Sequence, residues 1–286
     1  MQYKRNSRIF TLNCRGRLYT INQPQVMGIL NLTPDSFYAH SRFSGTDAVL
    51  QQAERMLEAG AAWIDIGAQS TRPGSIQAGA QAETARLGDT ITTLLKHFPD
   101  LLISIDTYYA AVARFAVEQG ASMVNDISGG RFDPEMLSTA AALQVPYVCM
   151  HLEGNADTMH QTSAHEHITR SVIDYFLERI QACQAAGIHD IILDPGFGFS
   201  KTRAENFQLL RELDSLHILQ HPLLIGVSRK SMIHKTLGIT PEEALNGTTV
   251  LHTASLLAGA HFLRVHDVKE AVEAVCLVEQ LLAAGS

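Results

Sequence analysis

Apolar residues in this chain gather in short unbroken runs, at residues 26–30, 62–66, 101–105, 122–124, 145–150, 190–193, 223–227 and 260–265. Most of them do not alternate with polar residues. Runs of that kind suit strands buried on both faces, as in a parallel sheet covered on each side. Between the runs the pattern changes to a helical period. In residues 46–59, Ala48, Val49, Ala53, Met56 and Leu57 fall near one face, Asp47 and Glu54 lie on the other, and Gly60 ends the stretch. Residues 84–97, 109–119, 134–143, 165–186, 203–213, 241–258 and 268–284 read similarly. Eight strand–helix alternations predict an α/β fold, a (β/α)8 TIM barrel. A doubly wound open sheet is the runner-up. It would carry a G-x-G-x-x-G turn after the first strand, where this chain has Asn31-Leu32-Thr33-Pro34-Asp35.

Ahead of the first run, residues 9–12 and 17–21 flank a polar turn ending at Gly16, which reads as a β-hairpin. Its natural place is across the N-terminal mouth, covering the bottom of the barrel. With 286 residues, 46% of them hydrophobic, the chain can bury one large core. The expectation is a single domain over residues 1–286, with residues 1–25 as the hairpin extension. A net charge of −7 argues against a general nucleic-acid or membrane-surface binder, although a local positive site can still hold an anion. No apolar run is long enough to span a bilayer, and the basic first residues lead into no signal-like apolar segment. Cys14, Cys149, Cys183 and Cys276 form neither a C-x-x-C pair nor a disulfide framework, so reduced thiols and a cytoplasmic location are expected.

Barrel enzymes place their chemistry at the C-terminal ends of the strands. There this chain has Asn31, then Thr33 to Phe37; Asp65, then Ser70 to Gly74; Asp106; Asn125-Asp126; Met150-His151; Asp194 to Phe199; Ser228 to Ser231; and Arg264 to Asp267. Helix capping accounts for Ser228 or Asp267 taken alone. It does not account for Arg72, Lys230 and Arg264 meeting carboxylates and Asn side chains at one rim, an assembly costly to desolvate and expected where function requires it. His151, His160, His165 and His167 match no compact metal motif and read as a solvated loop and helix start.

Five segments together resemble dihydropteroate synthase. They are Met27-Gly28-Ile29-Leu30-Asn31-Leu32-Thr33-Pro34-Asp35-Ser36-Phe37, Ser70-Thr71-Arg72-Pro73-Gly74, Leu193-Asp194-Pro195-Gly196-Phe197-Gly198-Phe199, Ser228-Arg229-Lys230-Ser231 and Arg264-Val265-His266-Asp267. The likeness runs from about Leu12 to the last helix. It implies a transferase of folate biosynthesis and a sulfonamide target. Such an enzyme joins 6-hydroxymethyl-7,8-dihydropterin pyrophosphate to p-aminobenzoate, losing pyrophosphate before the amine attacks.

The resemblance also implies roles. Asp194 would accept from the pterin N3–H and 2-amino group, since an ionised carboxylate takes two parallel donors. Asn125 would read the 2-amino/N1 edge, Asp106 would accept from N8–H, and Lys230 would donate to O4 and N5. Met150 and Phe199 would pack on the ring faces, though plain core packing fits them equally. Arg264 would stack on the ring and reach phosphate. Arg72, Arg264 and His266 would hold the pyrophosphate, with Asn31 as a ligand to Mg2+; a structural histidine is the other reading of His266. Asp35 would stabilise the positive 6-methylene or the amine as it loses its proton. Phe37, Thr71, Pro73 and Ser231 would hold p-aminobenzoate. As a bare tripeptide, Thr33-Pro34-Asp35 reads as an ordinary turn. Catalysis would rest on Asp35, Lys230, Arg264 and His266.

Two departures stand out. Tyr38 to Phe43 replace an Asp-Gly-Gly-like turn, and Gln69 replaces a common Glu. Relatives are often homodimers through the late helices, and the apolar stretch 251–258 suits either that contact or core packing. Two alternatives are a methyltetrahydrofolate:corrinoid methyltransferase and a non-catalytic pterin-binding paralogue. The first has no need of the two loops or the Arg264/His266 pair, and the charged site residues argue against the second.

Overall fold

The computed structural model describes residues 9–32, 45–69, 79–159, 161–162 and 165–284. Strands β1 (Phe10–Cys14) and β2 (Arg17–Ile21) pair antiparallel, Phe10 opposite Ile21 and Cys14 opposite Arg17. The turn between them, Arg15-Gly16, has φ of 56° and 82°. Two positive φ values in a two-residue loop match the strand twist, which favours Gly there.

Eight parallel strands follow: β3 (Gln25–Asn31), β4 (Trp63–Gly67), β5 (Leu102–Asp106), β6 (Met123–Asp126), β7 (Tyr147–Met150), β8 (Ile191–Asp194), β9 (Leu224–Ile225) and β10 (Phe262–Val265). They are ordered β8-β7-β6-β5-β4-β3-β10-β9. A parallel bridge from Leu193 to Leu223 joins the two ends, and Leu193 N–H donates to the Pro222 carbonyl at 2.9 Å. The sheet is thus a barrel, and all eight expected strands are present.

Outside it lie α1 (Gly45–Glu58), α2 (Ala80–Leu87), α3 (Thr90–His97), α4 (Ala110–Gln119), α5 (Met136–Leu143), α6 (Ile168–Ala186), α7 (Arg203–Arg211), a 3-10 helix (Leu213–Leu219), α8 (Ser231–Leu237), α9 (Leu245–Leu257) and α10 (Val268–Ala283). Most ends lie within three residues of the periodic stretches, and the larger differences are these. Gly88, at φ 48°, splits residues 84–97 into two helices. Helix α9 starts at Leu245, four residues later than the pattern suggests. The short α8 carries too few apolar positions to show a period and was not expected.

The strand period of two divides the apolar residues between two layers. Outward residues such as Ile64, Ile66, Ile103, Ile105, Val124, Tyr147, Leu193 and Leu263 pack under the helices. Inward residues at the strand starts, Met27, Trp63, Met123, Val148, Ile192, Leu224 and Phe262, cluster with Leu12, Cys14 and Ile21 of the hairpin. The hairpin therefore seals the bottom, and Asn13 N–H ties it there through the Asp190 carboxylate at 2.6 Å.

Candidate functional site

Two residues further along four of the strands, the same inward face turns polar. Trp63 is followed by Asp65, Met123 by Asn125, Ile192 by Asp194 and Phe262 by Arg264. Asp106 ends β5. These side chains converge. Arg264 Nε donates to Asp65 Oδ2 at 2.6 Å, and its Nη2 donates to Asp106 Oδ2 at 2.7 Å. Asn125 Nδ2 donates to the same Asp65 oxygen at 3.0 Å. Asp65 is fully buried, and its other oxygen, Oδ1, has no hydrogen-bond partner among the described residues. Asn31 sits at the end of β3 beside Gly67. A Cβ on Gly67 would lie 3.3 Å from Asn31 Oδ1 and 3.7 Å from Asp106 Oδ2, so both oxygens flank one bare backbone position.

The opposite wall is the turn after β8. Gly196 N–H donates to Asp194 Oδ1 at 2.8 Å. At φ 69°, with the His151 carbonyl 2.0 Å from where a Cβ would be, position 196 accepts only glycine. Lys230 Nζ donates to the Phe197 carbonyl and lies 4.6 Å from the Phe199 ring centre. Lys201 Nζ grips the turn from behind, donating to the Gly196 and Phe199 carbonyls at 3.0 and 3.2 Å. Phe199 packs against a cluster of Met150, Tyr108, Ile127, Leu152 and Met159.

Asp65, Asp106, Asp126 and Asp194 share this end with Lys201, Lys230 and Arg264, and burial works against each of these charges. Asp106 is pushed up to about 7 by burial and by Asp65, Asp126 and Asp194, against the pull of Arg264. Burial also raises Asp194, against Lys230, the Gly196 N–H, Arg264 and Lys201. Burial draws Lys230 down to about 8, with Asp194 opposing. For Arg264, burial is outweighed by Asp65 and Asp106, and the guanidinium stays charged. Asp126 accepts from Tyr147 Oη at 2.6 Å and from the Ser128 and Gly130 N–H groups at 2.7 and 2.8 Å.

At the rim, Ser228 Oγ accepts from His266 N–H at 3.1 Å and meets His266 Nδ1 at 3.0 Å. The Ser228 hydroxyl thus fixes the orientation of the His266 ring. Asp267 forms a two-point pair with Arg229, both bonds 2.8 Å. Ser228 and Asp267 therefore bond these partners and cap no helix. Ser231 is exposed in the first turn of α8. Asp35, Phe37, Thr71, Arg72 and Pro73, and the loop positions 38–43, lie outside the described residues.

The histidine reading needs correction. The His165 side chain is 5% exposed, its two ring nitrogens 2.7 Å from Glu153 Oε1 and 2.8 Å from Glu205 Oε1. His151 is 1% exposed, and its Nδ1 has no partner among the described residues. His167, accepting from Arg170 N–H at the start of α6, does behave as a helix-start residue, and His160 lies outside the described residues. Gln69 is buried too, with Nε2 donating to the Tyr108 hydroxyl.

Reading the strand ends finds Asp65 but gives it no role, and it passes over Lys201. Both carry a signal in the sequence. Asp65 sits inside the run Trp63-Ile64-Asp65-Ile66-Gly67, where an ionisable group among buried neighbours is costly unless used. Lys201 follows the glycine-rich turn directly.

Residues 27–266 match the family model described as "Pterin binding enzyme". The chain is 38% identical over 275 residues to a dihydropteroate synthase of Escherichia coli strain K12, covering 96% of this chain and 97% of that one. The structure of a Xanthomonas albilineans dihydropteroate synthase with 4-aminobenzoic acid superposes with a TM-score of 0.89 at 37% identity, over 96% of this chain and 98% of the other. That of the Xanthomonas albilineans enzyme in complex with 7,8-dihydropteroate gives 0.85 at 35% identity, over 96% and 99%.

Proposed function

The chain belongs to the family of pterin-binding enzymes, among the dihydropteroate synthases, and from that premise we propose how its own residues do the work. The reaction takes 6-hydroxymethyl-7,8-dihydropterin pyrophosphate and p-aminobenzoate. The C–O bond at the 6-methylene breaks, pyrophosphate leaves with the electron pair, and the amine nitrogen attacks the carbon. The nitrogen then sheds a proton to give 7,8-dihydropteroate.

The observation that carries this reading is the cross-barrel junction Asp65–Arg264–Asp106 with Asn125 attached. It sets a rigid guanidinium plane on the floor and presents acceptors around it. Asp194 accepts from N3–H and the 2-amino group, and Asn125 reads the 2-amino/N1 edge. Asp106, ionised, takes N8–H, and Lys230, protonated, donates to O4 and N5. Such matched polar contacts discriminate strongly, because a wrong ligand leaves buried groups unpaired. Met150 and Phe199 cover the ring faces. With Nε and Nη2 of Arg264 engaged, Nη1 is assigned to the diphosphate, joined by His266 and Arg72. Phe37, Thr71, Pro73 and Ser231 are assigned to p-aminobenzoate, and Asp35 to the positive 6-methylene and the amine proton.

A Mg2+ ion fits the Asn31 corner. Its amide oxygen is a hard donor, and among the described residues no cluster of three His, Cys, Asp or Glu is available to hold a metal. An ion there would take its remaining ligands from diphosphate and water, as Mg2+ commonly does. When bound it supplies positive charge to the departing pyrophosphate.

A homodimer through the late helices is supported by Leu237, Val250, Leu277 and Leu281, all more than half exposed; sedimentation at micromolar concentration tests it. Four free cysteines, and no helix of the described residues long and apolar enough to cross a membrane, fit work in the cytoplasm. The activity test combines protein, both substrates and Mg2+, and follows pyrophosphate and 7,8-dihydropteroate together. Tight pterin binding with no pyrophosphate release would make the chain a binding protein instead.

A further inference from the structure

A buried lysine outside the assigned pterin contacts holds the turn that presents Asp194. Lys201 is 5% exposed and bonds the Gly196 and Phe199 carbonyls, while Lys230 bonds the Phe197 carbonyl between them. The peptide groups on either side of the Gly196 Cα are both held. The Gly196 N–H goes to Asp194 Oδ1 at 2.8 Å, and its carbonyl takes Lys201 Nζ at 3.0 Å. The second Lys201 bond, to the Phe199 carbonyl at 3.2 Å, fixes the residue whose ring lies under Lys230. Burying an ammonium costs several kcal/mol, on the order of the penalty for any ion taken from water. A turn needing only shape would be served by an apolar side chain.

We propose that Lys201 is a positioning residue for pterin recognition: it locks the 196–199 turn and supplies the charge that keeps Asp194 a carboxylate. The proposal rests on the pterin reading of the site. The groups facing Asp194 are Lys230, Arg264 and Lys201, all favouring its ionised form. Asp194 in turn faces Asp106 across the barrel. Lys201 itself faces Asp194, Glu153 and Glu205, which favour its charge, and Lys230, which opposes it. His151 lies in its field as well. Burial draws Lys201 down to about 7, so its help to Asp194 is greatest on the acid side. Loss of that charge raises the Asp194 carboxyl further above its ordinary value. At high pH, Asp194 is ionised with or without it.

The test has two independent readouts. The first is the carboxyl 13C titration of Asp194 in the ligand-free protein, assigned by its disappearance in Asp194→Asn. Lys201→Met should raise the midpoint by about one pH unit or more, while Lys201→Arg, which keeps the charge, should stay close to wild type. The second is calorimetric binding of 6-hydroxymethyl-7,8-dihydropterin pyrophosphate from pH 6 to 8.5. Lys201→Met should bind about tenfold more weakly at pH 6, converging on wild type at the alkaline end. A midpoint unchanged in folded Lys201→Met overturns the proposal whatever ligand the site takes. So does a binding loss equal at all pH values, which would mark a purely structural role. A wild-type protein that ignores the pterin overturns the substrate reading instead, and the carboxyl titration still decides the charge role.

Discussion

The two ends of the barrel interior use the same strands for opposite purposes. At the bottom, Trp63, Met123, Ile192 and Phe262 meet the hairpin in an apolar cluster. Two residues along, Asp65, Asn125, Asp194 and Arg264 form a charged floor in which Asp65 Oδ1 has no partner among the described residues. The bottom gains stability by excluding water. The top spends stability to hold charges in a fixed arrangement, which is what recognition of a polar ring and a diphosphate needs. Sites pre-organised in this way commonly trade stability for function.

The largest expected effect breaks the bottom alone. Trp63→Ala removes a fully buried ring and should cost about 3–5 kcal/mol in denaturant unfolding. The KM for both substrates in the folded fraction should stay within about twofold. A large KM change would show that the two ends are not separable. At the top, Asp194→Ala should weaken pterin binding about 100- to 1000-fold while the melting temperature falls little. Wild-type affinity in this variant would remove the pterin assignment.

The next effect is a pH profile. Asp106 must be ionised and Lys230 protonated, and they titrate near about 7 and about 8. Pterin affinity should therefore peak between those values and fall up to about tenfold per unit outside them. Asp106→Asn should flatten the acid limb. The sign for stability is the reverse of the usual carboxylate case. Asp106 is raised in the fold, so the native state keeps a proton that the unfolded chain has released, and stability drops as pH rises towards about 7. Asp106→Asn should then melt higher than wild type at pH 8, with no gain at pH 5. The smallest effect returns to the bottom: Asp190→Ala frees the Asn13 N–H and should cost about 1 kcal/mol without altering either substrate's KM.

The strands were readable because burial on both faces writes unbroken apolar runs, and the hairpin because its turn demands glycine. Gly88 broke a helix whose apolar period runs straight through it, since periodicity records a face and not a change of axis. Residues at strand ends were legible as candidates, and the family likeness gave them roles. Asp65 is legible at a strand end but takes no role from the sequence, because its importance appears only once Arg264, 199 positions away, closes on it. The burial of the His165 side chain depends in the same way on Glu153 and Glu205, which no local pattern brings together.

The bridge between Leu193 and Leu223 has a consequence for the loaded enzyme. It is the seam of the hoop, where first and last strands of the sheet order meet across a short stretch. Asp194 leaves one lip of that seam and Lys230 follows the other. A pterin gripped by both would staple the lips together, so its arrival should slow deuterium uptake at the Leu193 amide more than at the amides of β4 or β5.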